Sequence, residues 1–178
     1  MKVIITGATG MVGKGVLLEC LDHAEIEKVL TIGRSTSGIS HSKLTELILD
    51  DFLDVSSIKD QLNGYDACYL CMGVSAAGMN EDNYRKFTYD YTLTLARVLA
   101  ENNPGMTCIY VSGMGTDSSE KGRVMWARVK GKTENDLLKL DFRQAYMFRP
   151  GTIIPMRGVK SKTKSYQFFY DYFSNAIF

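Results

Sequence analysis

The chain has 178 residues, 45% of them hydrophobic, with 21 Lys and Arg against 20 Asp and Glu and a net charge of +1. That length and apolar content suit one domain with its own core. The balanced charge offers no field to recruit nucleic acid or an anionic membrane, and no run reaches the ~18 apolar residues of a spanning helix, so neither partner is expected.

Met1 and Lys2 lead straight into a strand-like segment without a signal-peptide pattern. Short β-rich apolar runs then alternate with segments of helical period. Strands are predicted at residues 2–6, 29–32, 44–49, 67–72, 108–112 and 145–148, and helical segments at 12–21, 55–62, 80–101 and 124–140. The strands are nearly continuous apolar runs, as in a parallel sheet covered by helices on both faces. The expected class is therefore α/β, a doubly wound parallel sheet forming one domain over residues 1–178. Within it, 151–178 is the substrate-region or interface segment.

Cys20, Cys68, Cys71 and Cys108 lie in or beside apolar runs, which points to a reducing, cytoplasmic location. Cys68 and Cys71 form a CxxC inside a strand, not at a helix N-terminus, so they read as buried, unreactive thiols. His23 and His41 lack metal-ligand spacing and read as surface residues, and no metal is expected. Near the C-terminus a basic run at 157–164 precedes Tyr166, Phe168, Phe169, Tyr170, Tyr172 and Phe173. The expectation is a solvated loop followed by a helix that packs its aromatics on the body. Alternatively, that helix covers a substrate pocket or joins a homodimer. The sequence stops at Phe178 without a polar tail, and the natural chain is expected to extend further.

Thr6-Gly7-Ala8-Thr9-Gly10-Met11-Val12-Gly13 ends the first strand and opens the first helix, the context in which a glycine pattern becomes a phosphate site. Gly7 permits the tight turn, Gly10 lets backbone N–H groups approach a pyrophosphate, and Gly13 lets the helix lie close to the sheet. A Rossmann-type dinucleotide site follows, with Gly7, Thr9, Gly10, Met11, Val12 and Gly13 at the cofactor. The second strand ends Gly33-Arg34-Ser35, roughly 20 residues on, where an NAD site would place an acid against the ribose 2′-hydroxyl. Arg34 can instead grip a 2′-phosphate by forked, charge-assisted hydrogen bonds, with Ser35 adding a hydroxyl donor. NADP is the expected cofactor, with NAD the weaker candidate.

The turn TGATGMVG, Asp51-Phe52, Cys71-Met72-Gly73 and Phe148-Arg149-Pro150-Gly151 together resemble the short-chain dehydrogenase/reductase superfamily. More narrowly, they look like its atypical branch of Tat-interacting-protein-like, NmrA-like and NAD-dependent epimerase proteins, over residues 2–155. The resemblance implies that Asp51 faces the adenine, that Cys71, Met72 and Gly73 sit beside the ribose and that Pro150 borders the cofactor. It also implies an oxidoreductase or epimerase-like activity on an unidentified small molecule.

Redox-active members of that superfamily use a Ser or Thr after the fifth strand and a YxxxK on the next helix. Here the lysine is present as Lys130, but the tyrosine position is Trp126, and Gly113 stands where the second hydroxyl residue would be, leaving Ser112 as a substitute. Ser112 and Lys130 are the candidate catalytic residues, and the resemblance also implies that Lys130 contacts the cofactor at the nicotinamide ribose. An indole N–H has no acid–base function near neutral pH, and losing a positioned general acid costs ~100-fold to 10,000-fold. Tyr84, Tyr89, Tyr91 and Tyr110 are other possible proton donors. Two readings stay open: an NADP-dependent enzyme with a rearranged proton donor, and a non-catalytic NADPH-binding regulatory or interaction protein.

Overall fold

A computed structural model describes residues 1–160. Its strands are β1 (Lys2–Thr6), β2 (Lys28–Gly33), β3 (Leu44–Ile48), β4 (Ala67–Leu70), β5 (Thr107–Val111) and β6 (Gln144–Phe148). All neighbours pair in parallel, in the order β3-β2-β1-β4-β5-β6. The chain builds outward from β1 to β3, then returns to place β4 on the other side of β1. That reversal opens a crevice beyond the strands' C-terminal ends, between β1 and β4.

Side-chain alternation along the strands sends successive residues to opposite faces. Val3, Ile5, Val29 and Ala67 pack with Leu17, Cys20 and Leu21 of helix α1 (Met11–Asp22). Ile4, Leu30, Ile32, Cys68, Leu70, Cys108 and Tyr110 form the larger core. That face is covered by a 3₁₀ segment (Ser56–Leu62), helix α3 (Tyr91–Asn102) and helix α4 (Met125–Leu137), giving the doubly wound α/β architecture. On the α1 side, Val16, Tyr69, Ile109, Val111, Tyr146 and Phe148 line an apolar groove of about 620 Å³.

Two elements depart from expectation. Residues 55–62 close into a 3₁₀ segment; two consecutive serines there compete for backbone hydrogen bonds and disfavour a full α-helix. The single helix expected over 80–101 is instead α2 (Glu81–Arg85), a π-helical turn (Lys86–Asp90) and α3. Asn80 caps α2 by accepting from the Asn83 N–H at 2.9 Å. Beyond α3, the buried Asn103 side chain accepts from the Gly64 and Tyr65 N–H groups and donates to the Leu62 and Leu99 carbonyls, tying the helix end to the loop that leads into β4.

The cysteines are free. Cys68 and Cys108 are register partners in β4 and β5, both fully buried. Burial pushes the Cys71 thiol up to about 12. His23 and His41 each accept a local backbone N–H through Nδ1. Among the described residues no helix is long and apolar enough to cross a membrane. The aromatic run from Tyr166 to Phe173, and the homodimer or pocket-cover roles suggested for it, lie outside the described residues.

Candidate nucleotide site

A cavity of about 500 Å³ occupies the crevice at the β1/β4 reversal. Of the residues expected at a cofactor, Gly7, Thr9, Gly10, Arg34, Ser35, Cys71, Met72 and Gly73 line it, joined by Phe52, Val74, Phe87 and Tyr91. Gly7 has φ +70°, and a Cβ there would stand 2.5 Å from the Cys71 carbonyl oxygen. The β1 turn is therefore pressed against the end of β4, with room for backbone alone. Gly10 donates its N–H to the Gly7 carbonyl at 2.8 Å and caps α1 without any side-chain hydrogen bond. No acidic side chain lies in the first turn of α1, so its N-terminal amides and partial positive charge meet the cavity without a carboxylate over them. These residues fit a pyrophosphate.

Gly13 does not line the cavity; it packs where a Cβ would come within 2.6 Å of the Gly7 carbonyl carbon. Met11 is half-buried at the helix start, while Val12 and Pro150 line the apolar groove. Asp51 is exposed and accepts from the Leu53 N–H at 3.0 Å, while its neighbour Phe52 forms the cavity wall. Phe52 stacks on Tyr91 at 5.7 Å between centroids, and Phe87 meets Tyr91 edge-on at 5.4 Å. The exposed Arg34 guanidinium lies 5.9 Å above the Phe87 ring, with no carboxylate partner among the described residues. Sequence reasoning missed Phe52, Phe87 and Val74. The aromatic spacing at 87 and 91, i and i+4 on one helix face, was the signal available for Phe87.

Of the candidate catalytic residues, Ser112 follows the end of β5 and Lys130 projects from α4, and neither lines the cavity. Lys130 donates to the Ser112 carbonyl at 2.5 Å, and the Ser112 hydroxyl lies 2.5 Å from Glu134 Oε1 and 3.2 Å from the Phe148 carbonyl. Arg149 reaches Glu134 through Nε and a terminal guanidinium nitrogen. Glu134 is 2% exposed. Burial lowers the pKa of Lys130, with the Glu134 charge opposing that shift. A Cβ on Gly113 would stand 3.9 Å from Lys130 Nζ, and one on Gly115 would touch the Trp126 ring at 3.4 Å. Tyr84 and Tyr110 are buried at 2% and 1% exposure, and burial raises both pKa values. Tyr89 donates to Asp136 at 2.7 Å, leaving Tyr91 as the tyrosine of the four that lines the cavity.

Residues 3–121 match the model of the NAD dependent epimerase/dehydratase family. The mitochondrial protein FMP52 of Candida albicans is 30% identical over 161 residues, covering 88% of this chain and 69% of that relative. Two solved structures resemble the fold. A short chain dehydrogenase family protein from Francisella tularensis aligns with TM-score 0.69 and 17% identity over 98% of this chain and 76% of that one. UDP-glucuronic acid 4-epimerase from Bacillus cereus, in complex with NAD, aligns with TM-score 0.66 and 15% identity over 85% of this chain and 57% of that one. The cytoplasmic location expected from the cysteines and N-terminus is corrected by these comparisons, because the FMP52 relatives are named as mitochondrial proteins. Reduced thiols and a bare N-terminal strand do not discriminate between compartments.

Proposed function

The chain belongs to the NAD-dependent epimerase/dehydratase family, within the short-chain dehydrogenase/reductase superfamily, and from that membership we propose an NAD(P)-binding, oxidoreductase-type protein that prefers NADP. The observation that carries the preference is Arg34, exposed at the cavity beside Ser35 with no carboxylate partner among the described residues. Its guanidinium is suited to a 2′-phosphate, and the Gly7–Gly10 turn with the α1 N-terminus to the pyrophosphate. Phe52 and Tyr91 offer an apolar wall to the adenine, and Cys71, Met72 and Gly73 border the cofactor at the end of β4.

When bound, NADPH supplies a hydride at its nicotinamide ring. Lys130 is suited to hold a ribose hydroxyl and to keep positive charge at the end of β5. The Trp126 indole can donate a hydrogen bond but transfers no proton near neutral pH. Ser112 has one hydroxyl proton, and the short contact to Glu134 engages it. These arrangements favour a second reading, a non-catalytic NADPH-binding regulator, alongside an enzyme with a rearranged donor. Following the names of its FMP52 relatives, we propose a mitochondrial location, tested by fractionating cells that express the tagged chain.

Titration with NADPH and NADH, following the fluorescence of the single tryptophan Trp126 and checked by calorimetry, tests the cofactor reading. NADPH is expected to bind roughly tenfold or more tightly than NADH, the value of one charge-assisted contact. Equal affinities, or none, refute the preference. NADPH oxidation by the unmodified protein over a panel of carbonyls, quinones and nucleotide sugars supports the enzyme. Activity appearing only in the Gly113→Ser/Trp126→Tyr double variant supports the regulator.

A further inference from the structure

Four side chains from three separate elements converge at the ends of β5 and β6, and the one at their centre is Glu134, a residue to which no role has yet been given. On α4, Glu134 follows Lys130 by one helical turn, so both project toward the same strand end. Its carboxylate accepts from the Ser112 hydroxyl at 2.5 Å and from Arg149 Nε at 3.0 and 3.1 Å, with a further bond from the Arg149 terminal nitrogen. Arg149 also donates to the Ser118 hydroxyl at 2.5 Å, reaching the loop after β5. Lys130 in turn donates to the backbone carbonyl of Ser112 at 2.5 Å. At 2% exposure the carboxylate has lost its water, and these protein donors replace that hydration.

We propose that Glu134 is a positioning residue: clamped by Arg149, it holds Ser112 so that the Ser112 carbonyl aims the Lys130 ammonium at the nicotinamide-side ribose of the bound dinucleotide. The inference rests on the dinucleotide-binding reading and extends it to a residue outside the cavity wall. A side chain two contacts removed from the ligand acts through geometry, because a displaced ammonium forfeits its hydrogen bond even when its charge is retained. The same clamp compensates for the missing neighbours of Lys130. With glycine at 113 and an indole at 126, the amine has no hydroxyl from either position beside it, and the Ser112 carbonyl is its one hydrogen-bond partner among the described residues.

The experiment compares two ligands that share the adenosine half: the reduced dinucleotide that the unmodified chain binds more tightly, and the matching adenosine diphosphate (2′,5′-ADP for NADPH, ADP for NADH), which lacks the nicotinamide-side ribose. Glu134→Ala is expected to weaken the dinucleotide roughly tenfold, the loss of about one charge-assisted hydrogen bond, while affinity for the matching diphosphate stays unchanged. In a Lys130→Met background the same substitution is expected to cost nothing further. Ser112→Ala cuts the link while leaving the Glu134–Arg149 pair, and it is expected to weaken the dinucleotide in the same selective way if Glu134→Ala does not fold. Glu134→Gln keeps an acceptor for Ser112 and is expected to recover part of the affinity. Equal weakening of both ligands shows a merely structural carboxylate and overturns the inference, as does an undiminished loss in the Lys130→Met background or dinucleotide affinity that no variant changes. Failure of the unmodified chain to bind either ligand removes the cofactor reading itself, an outcome distinct from these and equally fatal to the role of Glu134.

Discussion

The glycines of α1 offer a test in which one chemical change has opposite signs at two positions of one helix. A Cβ at Gly13 would come within 2.6 Å of the Gly7 carbonyl carbon and 3.0 Å of the Ala8 nitrogen, whereas one at Gly15 meets nothing within 4 Å. Replacing Gly15 by Ala removes the entropic penalty of a helical glycine and should stabilise the fold by about 0.5–1 kcal/mol. At Gly13 the obstructing atoms are backbone, so no rotamer change relieves them and α1 must move off the turn. Overpacking of this kind reaches about 3 kcal/mol; set against the same helical gain, the net cost is about 2 kcal/mol. The two variants then differ by about 3 kcal/mol, or roughly 6–12 °C in Tm at ~2–4 °C per kcal/mol. Thermal melts followed by circular dichroism measure that gap, and nucleotide titration should show weakened binding for Gly13→Ala alone. A Gly13→Ala protein as stable as Gly15→Ala refutes the close packing of helix on turn.

Arg34→Ala should weaken NADPH by about 1–2 kcal/mol, roughly 5- to 30-fold, because an exposed guanidinium is screened by solvent; calorimetry should find NADH affinity unchanged, and equal loss for both nucleotides contradicts the 2′-phosphate contact. Asn103→Ala leaves the Gly64 and Tyr65 N–H groups without their acceptor, so chemical denaturation should report a loss of about 3 kcal/mol. Lys139, then Tyr89 and Lys132, hold the Asp136 carboxyl well below the usual carboxylate range. Its folded pKa is depressed, so its stabilisation is present above the unfolded value of about 4 and lost as pH falls from there through the folded value. Melting temperatures should drop over that acid window, and Asp136→Asn should flatten the drop; an unchanged slope in the variant counts against the assignment.

That the glycine turn closes at the head of α1 and borders the cavity was legible because its geometry is local: Gly7, Gly10 and Gly13 act through the backbone within a few residues of one another. Arg34 could be read for a similar reason, since its position follows from the length of one βαβ unit. The resemblance puts Asp51 at the adenine; the structure shows its neighbour Phe52 in the cavity wall, with Asp51 exposed beside it, since successive residues turn to opposite sides. Phe87 and Tyr91 share an i, i+4 spacing that marks one helix face, but the segment reads as one continuous helix, without sign of the π-helical turn at Lys86–Asp90 or of which face meets the cavity. Glu134 carried a fainter signal, an acid one helical turn from Lys130 within a largely apolar face. Its partners Ser112 and Arg149 come from strands distant in sequence, and only the parallel pairing of β5 with β6 brings them together.

At 113 the backbone has room for a residue larger than glycine: a Cβ there would meet only the Lys130 amine, at 3.9 Å. Groups that act as a unit in proton transfer give little when restored singly. A chain that lacks both the hydroxyl at 113 and the phenol at 126 therefore crosses a flat stretch before either replacement alone brings any catalytic advantage for selection to keep. On the proposed function, the lysine, the glycine turn and Arg34 serve nucleotide binding without either group, so the two halves of the site are free to evolve at different rates.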